Sequence, residues 1–174
     1  MARAVIVVDM LRGFLEEGYP LYCGDEARAI IPRVQKLLRR EREQGSYIIY
    51  VCDQHAPDDP EFQMFPPHCI KGTPEAEIIP ELSAYPGEVV PKTRYSGFYG
   101  SRLDDVLNRI KPEKLVICGV CTDICVLHTT ADARNRYYPV EIPVDAVASF
   151  DKEAHEFALR HMQKVLGAEL VRVE

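Results

Sequence analysis

The sequence lacks any apolar run approaching the roughly 20 residues that a membrane-spanning helix needs. Its N-terminus also lacks a charged segment leading into a long apolar stretch and a cleavage site, the pattern of a secretory signal. Both absences make a soluble, cytoplasmic chain without a membrane partner the expectation. Positive charge is in short supply: 21 Lys and Arg face 27 Asp and Glu, the net charge is −6, and no basic run stands out. A phosphate backbone needs a basic patch to hold it, so nucleic acid is not an expected partner. Internal repeats, low-complexity tracts and linkers are missing too. What the 174 residues do contain is 47% hydrophobic side chains, enough to bury a full core, and the length suits one domain over 1–174.

Six cysteines are present, but a chain of this size needs no disulfide staples, and Cys52 and Cys118 sit in β-like apolar runs. Reduced thiols are expected.

Ala4–Val8, Tyr47–Val51 and Lys114–Cys118 are continuous, largely β-branched or aromatic runs, which suits strands covered on both faces of a parallel sheet. Between the first two, Ile30, Ile31, Val34, Leu37 and Leu38 recur at helical spacing within Glu26–Gln44, and Gly45 supplies a stop. Further helices are expected over Ser101–Ile110, Thr122–Asn135 and Lys152–Leu166, with shorter strands at Glu88–Val90, Val140–Val144 and Glu169–Val173. The alternation predicts a three-layer α/β/α fold around a mostly parallel six-stranded sheet. Prolines at 57, 60, 66, 67, 74 and 80 make Asp53–Pro80 a long ordered or functional loop.

In open α/β sheets ligands bind beyond the carboxyl ends of the strands. Asp9 ends the first strand, Asp53 and His55 follow the second, Lys92 follows the third and Gly119–Cys125 follow the fourth. Each alone reads as an ordinary strand-end carboxylate, polar loop or surface lysine; together they supply a proton acceptor and a fixed cation beside a thiol. Cys125 falls in the first turn of the expected helix, with Thr122 or Asp123 as its cap, where the helix end favours a thiolate and lowers its pKa. The same end offers backbone N–H groups for an oxyanion. A buried structural cysteine is the plain alternative. Another takes Cys118, Cys121 and Cys125 as ligands of zinc or an iron–sulfur cluster, which the placement of Cys118 inside a strand weakens.

Asp53-Gln54-His55 puts a carboxylate and an imidazole on one side of an extended segment, where they can share a divalent cation, with Glu61 and His68 as further donors in the same loop. Zinc is the first choice, and iron and manganese are chemically acceptable.

These pieces resemble the isochorismatase-like cysteine hydrolase superfamily and, within it, the nicotinamidases. The resemblance runs nearly end to end: Val7-Val8-Asp9-Met10, Asp53-Gln54-His55, Phe65-Pro66-Pro67-His68-Cys69-Ile70-Lys71-Gly72-Thr73, Lys92-Thr93-Arg94-Tyr95-Ser96 and Gly119–Cys125. It implies that Asp9, Lys92 and Cys125 are the catalytic triad and that Asp53, His55 and His68 bind a metal, with Glu61 at a position where family members carry a histidine or a glutamate ligand. It implies a cis Val120–Cys121 peptide, with the N–H groups of Cys121 and Cys125 as the oxyanion hole. Phe14, Phe65, Tyr95 and Tyr99 match aromatic positions around the ring pocket. The implied reaction turns nicotinamide into nicotinate and ammonia through a thioester on Cys125, a step of NAD salvage. A cysteine nucleophile together with a metal pattern favours this reading over isochorismatase and N-carbamoylsarcosine-type amidases. Ureidoacrylate or another small amide, a non-enzymatic thiol or metal-binding redox protein, and a homo-oligomer all stay open.

Overall fold

The computed structural model describes residues 2–174. Strands β1 (Arg3–Val8), β2 (Tyr47–Asp53), β3 (Glu88–Lys92), β4 (Lys114–Val120), β5 (Val140–Pro143), β6 (Val147–Ala148) and β7 (Glu169–Val171) form one sheet in the order β3-β2-β1-β4-β5-β7, with β6 also paired to β4. Every pairing is parallel. The sheet therefore has seven strands instead of the expected six. The difference lies after Pro143, where a 3₁₀ turn over Val144–Ala146 interrupts the expected Val140–Val144 strand. The chain then rejoins β4 further along, at Gly119 and Val120. A strand of two residues is too short to leave a periodic pattern.

The helices are α1 (Arg12–Leu15), α2 (Asp25–Arg28), α3 (Ile31–Glu43), α4 (Leu103–Ile110), α5 (Leu127–Asn135) and α6 (Lys152–Lys164). The helix expected over Glu26–Gln44 is thus broken between α2 and α3. Pro32 stands in the first turn of α3, where its missing N–H costs nothing, but it cannot continue a helix from the preceding residues. Gly45 (φ 83°) and Gly167 (φ 70°) take left-handed conformations at the stops read from the sequence.

Alternation along the central strands builds two cores. Val5, Val7, Tyr50, Cys52, Val116 and Cys118 pack with Val34, Leu37 and Leu38 of α3 on one face. Ala4, Ile6, Val8, Val51, Leu115 and Ile117 pack with α4, α5 and α6 on the other. Each large apolar side chain so buried contributes about 1.5–3 kcal/mol. The three-layer fold follows because both faces of the sheet are apolar and each must be covered.

The proline-rich segment is ordered, as expected. Three 3₁₀ turns, Pro60–Gln63, Pro74–Ala76 and Pro80–Leu82, each open with proline. A bridge from His55 to Ile70 closes the segment on itself and one from Leu11 to Ile78 ties it to the carboxyl edge of the sheet, and Ile79 and Leu82 are buried.

Candidate active site

The ends of β1 and β4 are pressed together by a backbone that no other residue could supply at Gly119. There φ is 115°, and a Cβ would lie 2.1 Å from the carbonyl oxygen of Val8. The chain leaving β4 consequently passes beside Asp9, which turns out of β1 with φ 50° and donates its N–H to Val51. Asp9 Oδ1 accepts the Asp53 N–H at 2.9 Å. Lys92 ends β3 with its side chain wholly buried, ion-paired to Asp53 Oδ1, 3.0 Å from Asp9 Oδ2, 3.4 Å from Cys125 Sγ and bonded to the Arg94 carbonyl at 2.8 Å. Asp9 Oδ2 therefore has the buried Lys92 ammonium as its ion-pair partner. Asp9, Asp53 and Cys125 bring their reactive atoms within 4.8 Å of one another. Asp9, Lys92 and Cys125 thus meet as the sequence predicts.

Burial opposes the charge on Lys92, but Asp53 and Asp9 outweigh it and hold the ammonium protonated. Burial also pushes Asp53 up, yet Lys92 and the histidines overcome this and keep it below the usual carboxylate range. Asp9 is raised to about 6 by burial and by repulsion from Asp53, against the pull of Lys92. The thiol of Cys125 is pushed well up, first by burial and then by Asp9, with Lys92 acting the other way. A thiol lowered by a helix end is therefore not what forms. The helix opens as a π turn over Thr122–Val126, and neither proposed cap serves it: Thr122 Oγ1 bonds His155 at 2.7 Å, while Asp123 accepts from Ser149 at 2.6 Å. The cap position falls to Cys121, which makes no side-chain cap bond.

The Val120–Cys121 peptide is cis. Cys121 Sγ lies 3.5 Å from Cys23 Sγ, whereas Cys125 Sγ lies 3.4 Å from the Lys92 ammonium. Among the described residues, no group of metal donors unites Cys118, Cys121 and Cys125.

Beside Asp53 the loop brings in three further donors. His55 Nε2 stands 3.3 Å from Asp53 Oδ2 and 3.5 Å from Glu61 Oε2; His68 Nε2 stands 3.8 Å and 3.3 Å from the same two atoms. All four residues are buried. The far ring nitrogens are already engaged, His55 Nδ1 with Asp59 Oδ2 and His68 Nδ1 with the Pro66 carbonyl, both at 2.8 Å. As N–H donors there, they leave both Nε2 lone pairs facing the carboxylates. His55 Nε2 is a buried nitrogen with no hydrogen-bond partner. Asp53, His55 and His68 bring ligand atoms within 4.8 Å of one another, a set that fits a divalent cation such as zinc, and Glu61 lies within 3.5 Å of both imidazoles as a further donor. With protons alone to balance the carboxylates, burial opposes charge on His68, but Asp53 and Glu61 raise it to about 10.

A cleft runs over these groups, walled by Phe14, Leu21, Phe65, Tyr95, Ile124 and Phe150 and floored by Asp9, Cys121 and Cys125. Phe14, Phe65 and Tyr95 stand where the sequence predicts. Tyr99 does not: it is 66% exposed and flanks a shallow groove with His128 and Asp132. The turn after Ser96 buries Phe98 instead, beneath the Arg136 guanidinium at 4.4 Å. Sequence reading misses Asp59, Phe62 and Arg94. Phe62 sets its ring 5.4 Å from both histidines. Arg94 pairs with Glu61 Oε1 at 3.0 Å, leaving Oε2 toward the histidines, and lies over the Tyr95 ring at 4.5 Å. Asp59 before Pro60 carries a legible signal, a capping residue followed by proline; Arg94 stands in the Lys92–Ser96 motif, but nothing local marks Glu61 as its partner.

Residues 3–174 match the isochorismatase domain model. The fold superposes on a nicotinamidase, PncA from Bacillus subtilis, with a TM-score of 0.92 and 38% identity over 99% of this chain and 100% of that one. An N-carbamoylsarcosine amidase from Thermoplasma acidophilum gives 0.89 and 36% identity, covering 100% and 98%. A pyrazinamidase of Pyrococcus horikoshii in complex with zinc gives 0.89 and 33% identity, covering 98% of each chain. Matched from its first strand to its last residue, the chain belongs to the isochorismatase family.

Proposed function

We propose that this hydrolase is a nicotinamidase, releasing nicotinate and ammonia from nicotinamide. The observation that carries the reading is a thiol, a buried carboxylate and a buried ammonium meeting at an aromatic cleft, beside the buried Asp53, His55 and His68 donor set that Glu61 approaches. Asp9 Oδ2 takes the proton of Cys125 as Sγ adds to the amide carbon. The N–H groups of Cys121 and Cys125 receive the oxyanion, and Lys92 stays charged to balance Asp9 and the sulfur. Collapse expels ammonia with the proton returned from Asp9. Asp9 then takes a proton from water, whose oxygen attacks the thioester; nicotinate departs and the sulfur recovers the proton. Asp53, His55, Glu61 and His68 would hold a divalent cation, zinc by first choice, supplying a Lewis acid that anchors the pyridine nitrogen and draws electron density from the carboxamide.

The similarity to both nicotinamidase and N-carbamoylsarcosine amidase structures makes the substrate the point to test. Ammonia release should be robust with nicotinamide and weak with N-carbamoylsarcosine, and chelation should abolish the first. Turnover of N-carbamoylsarcosine in preference to nicotinamide, unaffected by chelator, would reverse the assignment.

A further inference from the structure

We propose that Asp59 is a positioning residue that sets two metal donors at once, holding the His55 ring with one carboxylate oxygen and the turn that presents Glu61 with the other. The proposal rests on reading Asp53, His55, Glu61 and His68 as a metal set. Asp59 Oδ2 lies 2.8 Å from His55 Nδ1. Its Oδ1 accepts the Glu61 N–H at 2.8 Å, capping the 3₁₀ turn Pro60–Gln63. A neutral imidazole carries one N–H, so donation from Nδ1 fixes the lone pair on Nε2, the atom that faces Asp53 and Glu61. A carboxylate behind the ring also makes that nitrogen a stronger donor. The two histidines differ in this respect, since His68 Nδ1 rests on a backbone carbonyl that no substitution removes. The capped turn carries Phe62 as well, whose ring edges both imidazoles. One side chain therefore fixes the ring of one ligand and the backbone of another. Asp58 next to it is exposed.

The test uses metal-free full-length protein and Zn²⁺ or Co²⁺ alone, measuring affinity by competition with a chromophoric chelator and coordination by the visible spectrum of the cobalt form. Asp59→Asn keeps an oxygen for the Glu61 N–H, because asparagine caps as well as aspartate, but sets an amide N–H₂ against His55 Nδ1. It should weaken zinc binding about 10-fold and alter the cobalt spectrum, and Asp59→Ala should approach about 100-fold. Asp58→Asn should match the wild type in both readouts. Asp59→Asn carries the test if the alanine variant does not fold. Wild-type binding with unaltered affinity and spectrum in the Asp59 variants overturns this proposal alone. A wild-type chain that binds neither ion overturns the metal reading and this proposal with it.

Discussion

Both ends of the sheet carry charged clusters, and they differ in how completely those charges are answered. At the amino edge Arg3 pairs with Glu41 at 3.0 Å and Glu141 at 2.8 Å, Lys114 reaches Glu141 at 3.1 Å, and Ser46 donates to Glu41 at 3.0 Å. All the oxygens of the two glutamates accept hydrogen bonds. At the carboxyl edge Lys92 is likewise shared between Asp9 and Asp53, yet His55 Nε2 is buried with no hydrogen-bond partner. Arg33 Nε and Thr130 Oγ1, also buried without a hydrogen bond, belong to neither cluster. A charged cluster alone thus does not mark a site. A cluster that leaves a buried ligand nitrogen free for an incoming cation points to one, because burying a polar atom unpaired costs stability.

The largest expected loss is at the thiol. Cys125→Ala should reduce ammonia release by about 10⁴-fold or more while leaving the fold intact by circular dichroism. Cys121→Ala should keep most activity, because the sulfur is turned toward Cys23 and alanine retains the backbone N–H. Equal losses in the two variants would revive a thiol-ligand reading. Next comes the cation. Lys92→Met leaves two buried carboxylates without their counterion and should cost about 3–5 kcal/mol in denaturant unfolding. Because Lys92 holds the Cys125 thiol down, the same variant should slow turnover and move alkylation of Cys125 to higher pH; an unchanged alkylation profile would remove Lys92 from the site.

A smaller effect is expected from Glu61→Gln, which should loosen metal retention about 10-fold, read by chelator competition, with thiol alkylation unaltered. Unchanged retention would make Glu61 only the partner of Arg94. The smallest effect belongs to the amino edge. Glu141→Gln should leave activity alone and cost less than about 1 kcal/mol, since solvent screens a pair so near the surface. Burial opposes its charge, but Arg3 and Lys114 hold the carboxyl below its ordinary 4.5. Its stabilisation is therefore full above that value and lost as pH falls through the lower folded pKa. The variant should show a flatter loss of stability under acid, and a loss as steep as the wild type would remove Glu141 from the account.

Much of this was written in local pattern. β1, β2 and β4 are legible because both sheet faces are covered, which makes their residues apolar without alternation. The convergence of Asp9, Lys92 and Cys125 follows from the rule that strand ends share one edge. What local pattern omits is whatever depends on three-dimensional packing. β6 is invisible because its two residues pair only where β4 continues past β5. Phe98 and Tyr99 cannot be ranked by sequence, since the turn that buries one and exposes the other is anchored from α5, where Thr129 accepts the Gly97 N–H. The raised thiol escapes a reading based on helix position because burial among carboxylates depends on strands distant in sequence. Arg94 is missed because its partner Glu61 lies 33 residues away, in an irregular loop.

The most direct test is to quench wild-type protein in acid during turnover of nicotinamide and map the adduct by peptide mass. A nicotinoyl group on the peptide bearing Cys125, absent in Cys125→Ala, is the predicted result. An adduct on Cys121, or turnover that persists in Cys125→Ala without any adduct, would contradict the account.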